Sequence, residues 1–261
     1  MNPLRLHASG ALTRLLIDHP QRRNAFTRQM WRDLPALVQQ ASADARCRVL
    51  VLQSATPGMF AAGADISEFE ATYATAEEAA RASREIEDAG AALAACPLPV
   101  LALIDGPCVG GGLALALACD MRLASTRSRF GITAARLGLS YPVSDIARLV
   151  QACGLAAASE LLYGTQLWSA QRALQTGLVN QVHELGALDA AAEDLLQAIS
   201  ASSLDATRAL KRGLHAVAAG DTQALAQAQQ TFVQMFAGPD FIEGRDAFLQ
   251  KRPALFPSHQ P

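Results

Sequence analysis

Between residues 98 and 125 the chain reads LPVLALIDGPCVGGGLALALACDMRLAS. LPVLALIDG (98–106) has the composition of a buried strand, the Leu/Ala run at 111–118 that of a buried helix, and MRLAS (121–125) that of a further strand. Three consecutive glycines, Gly110, Gly111 and Gly112, join the first strand to the helix. Fixed glycine costs backbone entropy and adds no side chain to a core. Two explanations fit. The first N–H groups of a helix are unpaired and carry a partial positive charge, so bare backbone there lets a phosphate or a developing oxyanion approach. Alternatively, the glycines make a tight strand-to-helix turn where a Cβ would collide with the sheet. The glycines alone leave both open.

The rest of the N-terminal part repeats the alternation. ALTRLLIDHP (11–20) and RVLVLQS (48–54) read as strands. A helix capped by Thr27 runs to about residue 42, and the Ala/Glu/Arg-rich stretch 76–95 is a second helix. Strand–helix–strand repetition predicts βαβ crossovers and a largely parallel sheet covered on both faces. From residue 143 onward helices dominate, at 143–152, 155–163, 169–176, 188–201, 204–219, 222–237 and 240–251, with LVNQVHE (178–184) the one strand-like segment. The expected organisation is an α/β core domain over 1–200 and a helical C-terminal region over 201–261 that serves as a lid or oligomer contact.

Formal net charge is −2 with no Lys/Arg block, and aromatic residues make up only 5%, which argues against nucleic acid and acidic membrane surfaces as partners. Asp105, Gly106 and Pro107 interrupt the longest apolar region before it reaches membrane-spanning length, and MNPLRLHASG lacks the apolar core of a signal peptide. Cys47, Cys96, Cys108, Cys119 and Cys153 are scattered, with no CxxC pair, and are expected to be reduced thiols of a cytoplasmic protein rather than a disulfide or zinc framework. No Lys follows the glycines as in a Walker A loop, GxGxxG is not matched, and the absence of GxSxG counts against a serine hydrolase. The stretch MFAAGADISEF (59–69) follows a strand, contains a small-residue turn and opens a helix that Asp65 can cap. It offers a second backbone N–H near the carboxyl ends of neighbouring strands, where open α/β sheets place ligands.

RRNAF (22–26), FAAGADI (60–66), PLPVLALIDGPCVGGGLALALACD (97–120), FGITAARLGLSYP (130–142) and EGRDAFLQKRPALF (243–256) follow one another along nearly the whole chain. In order and spacing this resembles the enoyl-CoA hydratase/isomerase, or crotonase, superfamily. The resemblance implies a crotonase-like spiral of ββα turns, a helical C-terminal trimerisation region, and a homotrimer or dimer of trimers. It also implies an acyl-CoA thioester substrate and no metal or redox cofactor, CoA being part of the substrate. Two backbone N–H groups polarise the thioester carbonyl in that family, and the matching positions are Ala64 and Gly111, flanked by Gly110 and Gly112. The CoA arm would pass Arg23 and the backbone at Ala62, Asp65 and Ile66, and Lys251 resembles a basic residue that reaches CoA from the same or a neighbouring subunit. A solvated helix-end lysine accounts for Lys251 equally well.

The chain departs from the family at the two glutamates with which hydratases activate water and handle the α-proton. The positions are Ala114, two residues after the third glycine, and Ala134, four after Phe130. Alanine transfers no proton, so two-carboxylate hydration is not available in its usual form; the small side chains leave room for a bulkier acyl group. Tyr141 matches a tyrosine linked to catalysis in methylmalonyl-CoA decarboxylase, a member of the same superfamily. It could bind a carboxylate or protonate an enolate, or simply bond backbone as a half-buried tyrosine. Where other members carry a catalytic Asp, this chain has Pro142. Asp145 reads as a helix cap, Glu85, Glu87 and Asp88 as pocket-bordering or solvated, and Asp120 as structural; none of the five histidines falls at a motif position. Three functions remain: enolate chemistry on an acyl-CoA without the glutamate pair, a hydratase whose acids come from elsewhere, and a non-catalytic acyl-CoA-binding protein.

Overall fold

The computed structural model describes residues 2–259. In chain order the elements are β1 (Leu4–Ser9), β2 (Leu12–Ile17), α1 (Arg28–Ala43), β3 (Val49–Ser54), a single turn α2 (Phe69–Thr72), α3 (Ala76–Ala95), β4 (Val100–Ile104), β5 (Pro107–Val109) and α4 (Gly111–Ala118). They continue as β6 (Met121–Ser125), β7 (Arg129–Gly131), α5 (Val143–Gly164), β8 (Trp168–Ser169), α6 (Ala170–Gln175), β9 (Gln181–His183), α7 (Leu188–Ser200), α8 (Leu204–Ala219), α9 (Thr222–Met235) and α10 (Pro239–Leu249).

The main sheet has the order β1-β2-β3-β4-β6-β9, antiparallel only between β1 and β2 and parallel elsewhere. Because side chains alternate across a strand, β3 and β4 serve two apolar layers. Leu50, Leu52, Val100, Ala102 and Ile104 face the larger core, shared with α1, α3 and α4. Val49, Val51, Leu101 and Leu103 face a smaller one closed by Leu188, Ala192 and Leu196 of α7. Near-continuous apolar strands are what a parallel sheet covered on both faces requires. A second, three-stranded sheet has the order β5-β7-β8.

Thr27 caps α1 through Met30 N–H as expected, and α3, α4 and β6 have the bounds their sequence pattern predicts. The helices expected at 143–152 and 155–163 meet at Gly154, whose φ of 77° and ψ of 162° break the helical run. Strand β1 was not expected: it is an edge strand with one exposed flank, carrying Arg5 and His7 among its leucines, and it pairs with β2. Strands β5, β7 and β8 were not expected either, since two or three residues are too few for a period and each exists only through its partner. LVNQVHE contributes only Gln181–His183 to the sheet. The five cysteines are free, four of them buried. Burial pushes the Cys119 thiol up to about 12 and Cys108 well above the thiol range, so both stay protonated and unreactive.

The C-terminal helices are fastened to the sheet by one charged junction. Asp120, between α4 and β6, accepts from Val100 N–H at 2.7 Å and from Lys211 Nζ of α8 at 2.8 Å. Lys211 is buried and also donates to Leu98 O at 2.9 Å. His215 Nε2 lies 3.4 Å from the other carboxylate oxygen. This is the structural role expected of Asp120. Replacing Lys211 by Ala strands a half-buried carboxylate and a carbonyl, and is expected to cost about 3 kcal/mol, read as a lowered urea midpoint.

Candidate active site

The segment Phe60–Asp65 lies between two others and is bridged to both. Phe26 N–H donates to Gly63 O at 2.8 Å and Asp65 N–H to Phe26 O at 2.9 Å, a parallel bridge between Phe26 and Ala64. On the other side Ala61 N–H donates to Pro107 O and Val109 N–H to Ala61 O, both at 3.0 Å, bridging Ala61 to Cys108 of β5. The strand alternation leaves Ala64 N–H turned away from Phe26, and it has no backbone acceptor among the described residues. Gly111 N–H, the first donor of α4, has none either, as the open end of a helix dictates.

These two donors are neighbours. A Cβ built on Gly63 would stand 3.4 Å from Gly111 N, and one built on Gly111 would stand 3.6 Å from Ala64 N. Gly110 has φ 52° and ψ −122°, a conformation L-residues avoid, and it swings the chain from β5 into α4. At Gly112 a Cβ would meet Ala61 Cβ at 2.7 Å and Ala61 O at 2.8 Å. The close-approach explanation holds at Gly112, and that approach brings the free N–H of Gly111 beside that of Ala64.

Trp31 closes one wall, packed on Phe26 with ring centroids 4.6 Å apart and planes inclined at 39°. With Ala64, Phe69, Tyr73, Glu85 and Ile86 it lines a narrow cleft beside the Ala64 donor. Glu85 is paired with Arg28 at 2.7 Å and Arg32 at 2.9 Å, and hydrogen bonding from Arg28 holds its carboxyl below the usual range. It is an ionised brace, a poor proton acceptor. Glu87 and Asp88 are exposed on α3. Ala114 is buried one turn into α4, with its N–H on Gly110 O at 3.0 Å, and Ala134 is half-buried against the main core at the start of a 3-10 turn.

Tyr141 is half-buried, and its hydroxyl donates to Gly110 O at 2.9 Å. Burial, then the nearby Asp145 carboxylate, push the phenol well above its ordinary value. Asp145 does not cap α5 as expected. It sits three residues after Pro142, is buried, and pairs with Arg148 at 2.7 Å; burial raises its pKa despite that partner.

The expected CoA-arm residues are less uniform. Arg23 and Ile66 are exposed, and Arg23 O accepts from Ala62 N–H at 3.1 Å. The Ala62 and Asp65 N–H groups are thus both occupied within the loop. Asp65 accepts from Ser67 N–H at 3.0 Å and Ser67 Oγ at 2.7 Å, the capping role expected of it. Lys251 is exposed just past α10, with φ 54°, and is not part of the cleft wall. Sequence reasoning missed Asn24, whose buried side chain accepts from His19 N–H and donates to Ser54 Oγ and Phe60 O, tying the RRNAF turn to the donor loop. A fixed asparagine with φ 55° is its only local signal.

A model of the enoyl-CoA hydratase/isomerase family matches residues 7–259. The chain belongs to that family. Mouse methylglutaconyl-CoA hydratase is 30% identical over 249 residues, 92% of this chain and 77% of the relative. Mouse enoyl-CoA hydratase domain-containing protein 2 is 33% identical over 255 residues, 94% and 84% of the two chains. A crystal structure of an enoyl-CoA hydratase/isomerase family protein from Hyphomonas neptunium superposes with a TM-score of 0.94 at 39% identity, covering 97% of each chain. One from Magnetospirillum magneticum, described as an enoyl-CoA hydratase/carnithine racemase, also reaches 0.94, at 32% identity, covering 99% of this chain and 96% of that one. The crotonase fold is thereby established, and with it an enzyme of the lyase or isomerase class. Gly112→Ala drives a Cβ into Ala61 and is expected to cost about 1–3 kcal/mol through overpacking, measured as a fall in melting temperature.

Proposed function

We propose that the enzyme binds an acyl-CoA thioester with its carbonyl oxygen between Ala64 N–H and Gly111 N–H, and that the reaction passes through the thioester enolate. What carries this reading is the adjacency of two backbone donors with no acceptor of their own. Such donors stabilise charge as it develops on oxygen, and loss of one costs about 3–4 kcal/mol of barrier lowering. The CoA arm leaves past Arg23, Ala62 and Ile66 and the Asp65 turn, while Lys251 reaches CoA from the same or a neighbouring subunit. The exposed apolar face of α8 and α9, with Leu210, Leu214 and Phe232 more than half exposed, supports a homotrimer or dimer of trimers. The core at 1–200 then carries the chemistry and 201–261 the subunit contacts.

Alanine at 114 and 134 removes the two carboxylates that would activate water. General acid–base groups contribute about 10²–10⁴-fold each, so the enzyme is not a fast two-glutamate hydratase. Incubated with trans-2-butenoyl-CoA, it is expected to consume the conjugated absorbance at least about 10²-fold more slowly than a two-carboxylate enzyme. Fast hydration would overturn this.

The same two alanines favour a second reading, decarboxylation of a thioester that carries a carboxylate on its α-carbon. Cleavage of the carbon–carboxylate bond releases CO2 and leaves its electron pair in the enolate, so no protein base is needed, only the donor pair and a proton for the α-carbon. With methylmalonyl-CoA labelled in its free carboxyl group, labelled CO2 is the expected product; complete retention of label excludes the reading. Calorimetric binding of CoA thioesters without any turnover would instead mark a non-catalytic binding protein.

A further inference from the structure

The Tyr141 hydroxyl and the Gly111 N–H meet at opposite ends of one peptide unit. The Gly110 carbonyl that accepts from Tyr141 and the N–H of Gly111 belong to a single planar group, with oxygen and hydrogen pointing in opposite directions. Whatever draws that oxygen one way aims the N–H the other way. Gly110 has no side chain to fix this plane, and a Cβ there would meet nothing closer than Gly63 Cα at 3.8 Å. Hydrogen bonds do the fixing. Gly110 N–H donates to Gly131 O at 2.9 Å, and Gly110 O accepts from Ala114 N–H at 3.0 Å and from Tyr141 at 2.9 Å. The bond from Ala114 is an ordinary first bond of a helix; the phenol is an added donor on the second lone pair. Density drawn toward the oxygen of an amide leaves its N–H more positive, the way chained hydrogen bonds strengthen one another.

We propose that Tyr141 is a positioning residue for the oxyanion donor: its bond to Gly110 O orients the Gly110–Gly111 peptide and strengthens Gly111 N–H toward the substrate oxygen. This rests on the reading of Ala64 and Gly111 as the donors to a thioester carbonyl. It gives Tyr141 a task that keeps its proton where the structure has it, in the bond to Gly110 O. The surroundings match that task, since a buried phenol beside the Asp145 carboxylate stays protonated. Tyr73 and Tyr163, the other two tyrosines, make no bond to a donor peptide.

The test is the infrared stretch of trans-2-butenoyl-CoA, labelled with carbon-13 at the thioester carbonyl, bound to the full-length protein. Wild type is expected to shift the stretch to lower frequency than in water. In Tyr141→Phe that shift is expected to shrink by roughly 10–30%, the size of one cooperative bond. Site-specific 3,5-difluorotyrosine at 141, a stronger donor of the same shape, is expected to enlarge it, and it serves even where the Phe variant does not fold. A shift that is the same in wild type and in the folded variants overturns the role of Tyr141 while leaving the donor pair intact. A wild-type protein that leaves the carbonyl unshifted overturns the donor pair itself, and the role of Tyr141 with it.

Discussion

Everything at the site depends on two stretches of backbone lying closer than side chains permit. Residues 61–64 and 109–112 run side by side because glycine stands at 63 and 112, and because bridges on both flanks of the first stretch hold it in register. The result is a pair of neighbouring N–H groups, both on half-buried residues, with no backbone acceptor among the described residues. An open helix end and a turned-away strand N–H leave both donors available to a ligand oxygen, the use proposed for them. The covering helix, apolar on all sides and wholly buried after its first residue, makes the donor loop rigid: neither partner can shift without disturbing the sheet beneath.

Such a site separates two tasks that enzymes often combine. In the reading proposed for this site, charge on the substrate oxygen is handled by the backbone, whose sequence requirement is mainly an absence of side chains. Proton traffic is handled by side chains, which can be removed without harm to the backbone geometry. Ala114 and Ala134 show that division: helix α4 and the turn at 134–137 form without any carboxylate. The charged groups that remain near the cleft are committed elsewhere. Glu85 braces Arg28 and Arg32, and Asp145 faces Arg148.

Much of this was legible in the sequence, for reasons that can be given residue by residue. The helix at 76–95, the glycine turn and the strand at 121–125 are local features, set by periodicity and by glycine, and each was found with its bounds. The pairing of Ala64 with Gly111 was reached through resemblance, because no local pattern states that residues 47 apart have neighbouring N–H groups. Strands β5, β7 and β8 were invisible, being made by their partners. The partner of Asp145 was missed because a side chain near the start of a helix can cap it or turn inward, and only packing decides; here Arg148, received against Gly90, drew it in. Asn24 was missed because its worth lies in three partners spread over 41 residues, from His19 to Phe60.

Asp120 and Lys211 join two regions that the chain keeps 91 residues apart. The carboxylate also holds the first N–H of the strand that feeds into the glycine turn, so helix α8 and the strand that leads to the donor pair are clamped by one and the same oxygen, Oδ2. The C-terminal helices and the donor loop are consequently not modules placed end to end; they share a keystone, the carboxylate at the foot of β4.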